Sequence, residues 1–69
     1  MNNPKIRNRL KVYRAEHNLT QAELADLVGV TRKTINTVEM GRFLPSITLA
    51  LRLAKALNVP VEELFQLEE

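Results

Sequence analysis

The stretch TQAELADLVGVTRKTINTVEMG, from Thr20 to Gly41, decides the fold. Apolar residues recur at intervals of three and four on either side of Gly29, which predicts two short helices joined by a tight turn. Thr20 and Thr31 each precede a helical segment, and Glu23 follows Thr20 at the spacing of a capping box. Gly29 suits the end of the first helix because glycine accepts a left-handed backbone. The predicted helices cover about residues 21–28 and 32–40.

The spacing within this stretch matches two helices that cross steeply. Such a pair needs a small residue where the helices press closest, and branched apolar residues that face inward. Ala25 lies four residues before Gly29, and Ile35 and Val38 are three residues apart on the second helix. With Gln21 at the start, the spacing predicts a helix-turn-helix. An ordinary antiparallel helix pair explains the apolar positions but not the polar ones.

The outward residues of the second helix can all form hydrogen bonds, and none of them is acidic. They are Arg32, Lys33, Thr34, Asn36 and Thr37. Donors and short hydroxyl groups suit the base edges of the major groove, and the N-terminal end of the helix is electrically positive. The one acid of this helix, Glu39, falls near its inner side. This face predicts a double-stranded DNA partner.

Outside this stretch, apolar spacing predicts three more helices. The first covers about Lys5 to His17, with Ile6, Leu10 and Tyr13 on one face, and ends at Asn18. The fourth covers about residues 47–57 after a Ser46 cap, and the fifth about residues 61–66 after Pro60.

The fourth helix has five residues predicted to face the core: Ile47, Ala50, Leu53, Ala54 and Leu57. The expected fold is therefore all-α, a compact bundle of five helices forming a single domain over residues 1–69.

Composition excludes several classes of protein. The chain is 45% hydrophobic and 26% charged, as in a globular domain. It contains no cysteine, which fits a reducing cytoplasm and excludes a thiolate metal site. The single histidine, His17, and the single serine, Ser46, already have surface or capping roles, so we expect no enzyme, metal site, cofactor or small-molecule ligand. No membrane segment is expected either.

Charge is distributed unevenly along the chain. Up to Lys55, ten basic residues stand against four acidic ones, a net charge of +6, whereas the four charges from Ala56 onward are all acidic. A basic body suits a polyanionic partner. A solvated surface that segregates by chance is an equally open interpretation.

The segments LTQAELADLVGVTRKTINTVEMGR and LPSITLALRLAKALNVPVEELF resemble the lambda-repressor-like, XRE/Cro-type helix-turn-helix family, and in particular its stand-alone members of similar length. The resemblance covers about Ile6 to Phe65. It implies a five-helix DNA-binding domain of a bacterial-type transcriptional regulator, in which residues 31–37 include the recognition helix.

The resemblance also implies roles for individual residues. Base contacts fall to Arg32, Lys33, Thr37 and, next, Thr34. Phosphate contacts fall to Thr20, Gln21, Thr31, Asn36 and Arg42. Arg14 and Glu39 match a buried ion pair that ties the first helix to the recognition helix.

Small regulators of this family usually bind as two-fold dimers. We therefore expect a homodimeric repressor on a palindromic operator, with half-sites about 34 Å apart. The candidate dimer surface is the C-terminal segment with Leu64, Phe65 and Leu67. These side chains could equally complete the monomer core. The alternative function is a protein-interaction module, such as an antitoxin whose acidic tail meets a basic toxin.

Overall fold

A computed structural model describes residues 5–68 of the chain. Five helices are framed by two short strands, in the order β1 (Lys5–Asn8), α1 (Leu10–Glu16), α2 (Gln21–Val28), α3 (Arg32–Glu39), α4 (Ile47–Ala56), α5 (Val61–Leu64) and β2 (Phe65–Glu68). The three central helices start at their predicted residues and end within one residue of the predicted positions.

Both ends of the described chain correct the all-α prediction. Residues 5–8, predicted as the first turn of a helix, form β1, and the fifth helix ends at Leu64 rather than at residue 66. The two strands pair antiparallel, with Ile6 opposite Leu67 and Asn8 opposite Phe65. β2 alternates apolar and polar residues, whereas Ile6 is the single apolar residue of β1. The fold is therefore a five-helix domain with a small two-stranded sheet.

Capping residues set the limits of the central helices. Thr20 forms both bonds of a capping box with Glu23, and the side chains of Thr31 and Ser46 accept hydrogen bonds from the amides of Thr34 and Leu49. Gly29 has φ of 78°, so the α2–α3 turn uses a backbone conformation that costs other residues energy. The predicted caps are confirmed.

The core lies between all five helices. Its fully buried side chains come from every helix: Leu10, Leu24, Ile35, Val38, Leu53, Leu57 and Leu64. Ile47 was wrongly predicted to face inward, since its side chain is 80% exposed. The buried stripe of α4 includes Leu49 and Leu53 instead, and Ile47 lies about a third of a turn or more from both.

Two side chains tie α1 to distant parts of the chain. Asn8 accepts a hydrogen bond from the Leu10 amide at 2.9 Å, and its own amide group donates to the Val38 carbonyl near the end of α3. On the other side, the Tyr13 hydroxyl donates to a Glu63 carboxylate oxygen at 2.8 Å. This hydrogen bond raises the pKa of Tyr13, because ionisation would remove the donated proton and place a second negative charge beside Glu63.

Candidate nucleic-acid interface

The fold presents α3 with one face buried and the other open. Ile35 and Val38 are fully buried, so the helix cannot rotate without exposing both side chains. Lys33 is exposed, and Thr37 follows it by about one turn and is partly buried. The outward face therefore carries the polar, acid-free residues that the sequence predicts.

Arg14 and Glu39 form an ion pair between α1 and α3. The Arg14 Nε donates to Glu39 Oε2 at 2.6 Å, and Nη2 donates to Oε1 at 3.3 Å. The two side chains are 14% and 4% exposed. Nη1 of Arg14 donates to the Leu19 carbonyl at 2.7 Å, so the guanidinium group is also fixed to the α1–α2 connection. The acid of α3 is thus neutralised inside the domain and adds no free negative charge to the outward face.

Gln21 extends this ion pair toward the outward face. Its side-chain amide donates to Glu39 Oε1 at 3.0 Å and to Asn36 Oδ1 at 3.1 Å. Its carbonyl oxygen accepts from Arg32 Nη1 at 2.8 Å. Arg14, Glu39, Gln21 and Arg32 therefore form a continuous hydrogen-bonded series, which we call the Arg14–Arg32 relay. It links a cation of α3 to the buried ion pair.

The hydroxyl groups on α3 are bound within the helix. The Thr37 hydroxyl donates to the Thr34 carbonyl at 2.9 Å. The Thr34 and Thr31 hydroxyl oxygens are 3.1 Å apart, and the Thr31 oxygen also accepts from the Thr34 amide. The Thr37 hydroxyl therefore has its donor used and its acceptor lone pairs free, whereas the Thr31 oxygen already accepts one hydrogen bond.

The structure places the other predicted contact residues around α3. Thr20 caps the neighbouring helix α2, and Arg42 is exposed just beyond the end of α3. Met40, which was not a predicted contact, is 52% exposed at the C-cap of α3, and its sulfur accepts a hydrogen bond from the Asn36 amide at 3.4 Å.

Sequence reasoning missed Asn8, although an asparagine two residues before a helix is a recognisable capping signal. Its hydrogen bond to the Val38 carbonyl supports the end of α3 from the strand side.

The predicted dimer candidates separate into core and surface. Leu64 is fully buried, so it belongs to the monomer core and its assignment to an interface is wrong. Phe65 is half-buried against the core, whereas Leu67 is 58% exposed. A shallow groove beside the sheet is lined by Ile6, Phe43, Leu44 and Phe65 among others.

Residues 5–68 were also compared with the requirements of a metal site and of a membrane span, and they meet neither. No group of three histidine or carboxylate side chains comes together to hold a metal ion there. Within the same part of the chain, no helix has the length and apolar character needed to cross a bilayer.

Comparison with known proteins places this geometry in a family. A helix-turn-helix family model matches residues 10–64. An uncharacterized HTH-type transcriptional regulator of Methanocaldococcus jannaschii is 47% identical over 64 residues, which is 93% of this chain and 97% of the relative.

Solved structures agree with the sequence relatives. The restriction-modification controller protein C.AhdI of Aeromonas hydrophila has a TM-score of 0.76 at 36% identity, with 80% of this chain and 83% of that chain covered. The P22 c2 repressor, solved with a synthetic operator, has a TM-score of 0.76 at 30% identity, covering 78% of this chain and 82% of that one.

These likenesses extend over most of the chain and include the helices that present the Arg14–Arg32 relay and the outward face of α3. The family is one of transcriptional regulators and not of enzymes. The chain belongs to the XRE/Cro-type helix-turn-helix family of transcriptional regulators.

Proposed function

We propose that this chain is a sequence-specific regulator that inserts α3 into the major groove of double-stranded DNA. The observation that carries the proposal is the Arg14–Arg32 relay. It orients one cation of α3 while it neutralises the single acid of that helix. A merely solvated helix gains nothing from a cation held in a fixed direction, whereas base readout depends on one.

Arg32 is the principal base contact in this proposal. A guanidinium group has five N–H donors, and Gln21 accepts from one nitrogen only. Enough donors remain for a bidentate contact with guanine O6 and N7. Lys33, Thr34 and Thr37 complete the base-reading set on the same helix.

Phosphate contacts are proposed for Thr20, Gln21, Thr31, Asn36 and Arg42. For Gln21, the two hydrogens of the side-chain amide already go to Glu39 and Asn36. Its phosphate contact therefore falls to the backbone N–H, which lies in the first turn of α2, where amides have no partner within the helix. Thr31 is the N-cap of α3, as Thr20 is the N-cap of α2.

We further propose that the protein acts as a homodimer on a palindromic operator. One α3 reaches only a few base pairs, and two copies separated by about 34 Å would read successive major grooves. Repression then follows from occupancy, because a bound dimer blocks access of polymerase to the operator. The P22 c2 repressor, a structural neighbour, is a repressor by its name.

The proposed dimer surface is the groove beside the sheet together with the adjacent Leu67 of β2. Leu44, which lines the groove, is 68% exposed, and Leu67, which pairs with the groove residue Ile6 across the sheet, is 58% exposed. This surface follows α3 in the chain through Gly41 and Phe43. A second copy seated there would cover apolar side chains that water now contacts.

Selection of bound duplexes from a random pool tests the DNA-binding proposal. We expect a two-fold symmetric consensus, and an affinity that falls steeply between about 50 and 200 mM salt because phosphate contacts release counterions. Enrichment of no sequence would overturn sequence specificity. An affinity independent of salt would overturn the phosphate contacts.

A further inference from the structure

The side chain of Thr37 can read DNA in two ways, and the hydrogen bonds of α3 distinguish them. A threonine offers a base either its hydroxyl, which donates or accepts, or its methyl, which packs against the C5-methyl of thymine. Which of these faces the groove depends on the rotamer of the side chain.

The Thr37 hydroxyl is turned toward its own helix. It donates its only hydrogen to the Thr34 carbonyl at 2.9 Å. It therefore cannot donate to the acceptor atoms of guanine or thymine while this bond is kept. Since the substituents on Cβ are staggered, the methyl group is directed away from that carbonyl.

The surroundings of Thr37 increase the apolar character of this position. Thr37 lies about one turn after the exposed Lys33 and one residue before the buried Val38. Met40, three residues further on, exposes about half of its side chain. The second half of the outward face is thus less polar than the first half, where Arg32 and Lys33 stand.

We propose that Thr37 reads a thymine through methyl–methyl contact, so that each half-site contains a thymine whose C5-methyl touches the Thr37 methyl. This inference rests on the proposed DNA-binding function and adds the kind of base at one position. Arg32 and Lys33 supply hydrogen bonds to the neighbouring bases, while Thr37 supplies a contact that no base other than thymine offers among the four of DNA.

The contact is tested by removing one methyl group from the DNA, one from the protein, and then both. In the selected duplex, each thymine is replaced in turn by deoxyuridine, which lacks only the methyl. We expect one thymine in each half-site whose replacement weakens binding about fourfold, the factor that corresponds to one buried methyl group. Thr37→Ser, which removes the protein methyl and keeps the hydroxyl, should bind the unmodified duplex about fourfold more weakly. It should show no further loss with deoxyuridine.

Two further variants separate this readout from its alternatives. Thr37→Val keeps a methyl and lacks the hydroxyl, and should retain the preference for thymine over deoxyuridine. Thr48→Ser makes the same exchange on the exposed surface of α4, and should leave every value unchanged. Thermal unfolding of each variant shows whether it is folded as the parent is.

The outcomes also separate the inference from the proposed function. Selective binding in which Thr37→Ser remains as sensitive to deoxyuridine as the parent overturns the methyl contact alone. Loss of the thymine preference in Thr37→Val assigns the readout to the hydroxyl and likewise overturns it. If the parent protein selects no duplex, both the inference and the proposed function are wrong.

Discussion

At the scale of single residues, the interior of the domain and its proposed reading face are connected. Arg14 and Glu39 are largely buried, yet they contact Gln21, and Gln21 contacts Arg32 on the outward side. The side chain that meets DNA in our proposal is therefore oriented by a buried charge pair. Changes at the two ends of this relay should have different effects.

Arg32→Ala removes the outer end of the relay. We expect DNA binding to weaken by about 1–3 kcal/mol, with loss of preference at one base pair in each half-site. Titration of the selected duplex and its single-base variants measures both effects. Lys55→Ala, an exposed cation of α4, serves as the control and should preserve the base preferences. An unchanged affinity for the selected site in Arg32→Ala would contradict the assignment.

Arg14→Met removes the inner end. It leaves the Glu39 carboxylate buried without its cation, so the free energy of unfolding should fall by about 3 kcal/mol. Replacing both residues, as Arg14→Met with Glu39→Leu, should recover most of that loss because no charge is then buried. Urea unfolding gives the values.

The exposed pair Arg7–Glu68 provides the comparison for Arg14→Met. Its side chains are 59% and 44% exposed, with 3.4 Å between the charged atoms. Solvent screens such a pair, so Arg7→Met should cost less than about 1 kcal/mol. Equal losses of unfolding free energy from Arg7→Met and Arg14→Met would show that burial does not determine how much the Arg14–Glu39 pair contributes to stability.

At the scale of elements, local sequence signals were sufficient to predict the limits of a helix that has a cap at one end and a glycine or asparagine at the other. Helices α2, α3 and α4 start after Thr20, Thr31 and Ser46, and each cap is visible in the sequence. The two strands were missed because each has only four residues. Such a short segment does not outweigh the spacing of Ile6 and Leu10, which continues the helical face of α1. Strand pairing across the whole chain has no local signal.

The candidate site was predictable to a similar extent. Helical spacing identifies which residues of α3 face outward, because it needs only the helix period. The bond from Gln21 to Arg32 joins two helices and depends on rotamers, so spacing alone does not predict it. The partner of the Thr37 hydroxyl is not predictable from spacing either, because a threonine in a helix adopts either of two rotamers.

Thr20→Asp separates the two roles proposed for the N-cap of α2. Aspartate caps a helix as well as threonine does, so stability to urea should stay within about 0.5 kcal/mol of the parent. Its negative charge next to a phosphate should nevertheless weaken DNA binding about tenfold at low salt. Ser46→Asp makes a comparable exchange at the cap of α4 and should change DNA binding little. Equal effects of the two substitutions on affinity would contradict a phosphate contact at Thr20.

At the scale of the whole molecule, the sheet closes the chain on itself. Arg7 and Glu68 are 61 residues apart in sequence and bonded in space, and the Arg9 amide donates to the Leu64 carbonyl at 2.9 Å. The first and last elements of the described chain are therefore joined, with the five helices between them. Opening the sheet would release α1 and α5 from each other at their outer ends.

A disulfide across the sheet would make this closure covalent. Because residues 9 and 64 form a hydrogen-bonded pair, alternation along the ladder makes Ile6 and Leu67 a non-hydrogen-bonded pair, with closer side chains. The chain has no cysteine of its own. We expect Ile6→Cys with Leu67→Cys to form a bond that raises the free energy of unfolding by about 4 kcal/mol relative to the reduced form. Equal urea midpoints with and without reductant would show that the strands are not paired in this register.

Leu67→Lys tests the proposed dimer surface. The added charge should prevent a second copy from covering the groove, so sedimentation should show monomer at concentrations where the parent is a dimer. Affinity for an operator with two half-sites should fall, while affinity for a single half-site should not. Leu27→Lys is the matched control, since Leu27 is 62% exposed on α2, which belongs neither to the groove nor to the sheet. A parent protein that sediments as a monomer at tens of micromolar would contradict the dimer.

The Arg14–Arg32 relay also has a consequence for how such regulators diverge. After gene duplication, two copies must stop competing for the same operator. If Arg32 reads a base as proposed, a substitution at position 32 alone changes the preferred base but leaves the Gln21 carbonyl without its guanidinium donor. A change at position 21 alone loosens the arginine and keeps the old preference. Lineages that acquire new operators should therefore change positions 21 and 32 together, while Arg14 and Glu39 persist beneath them.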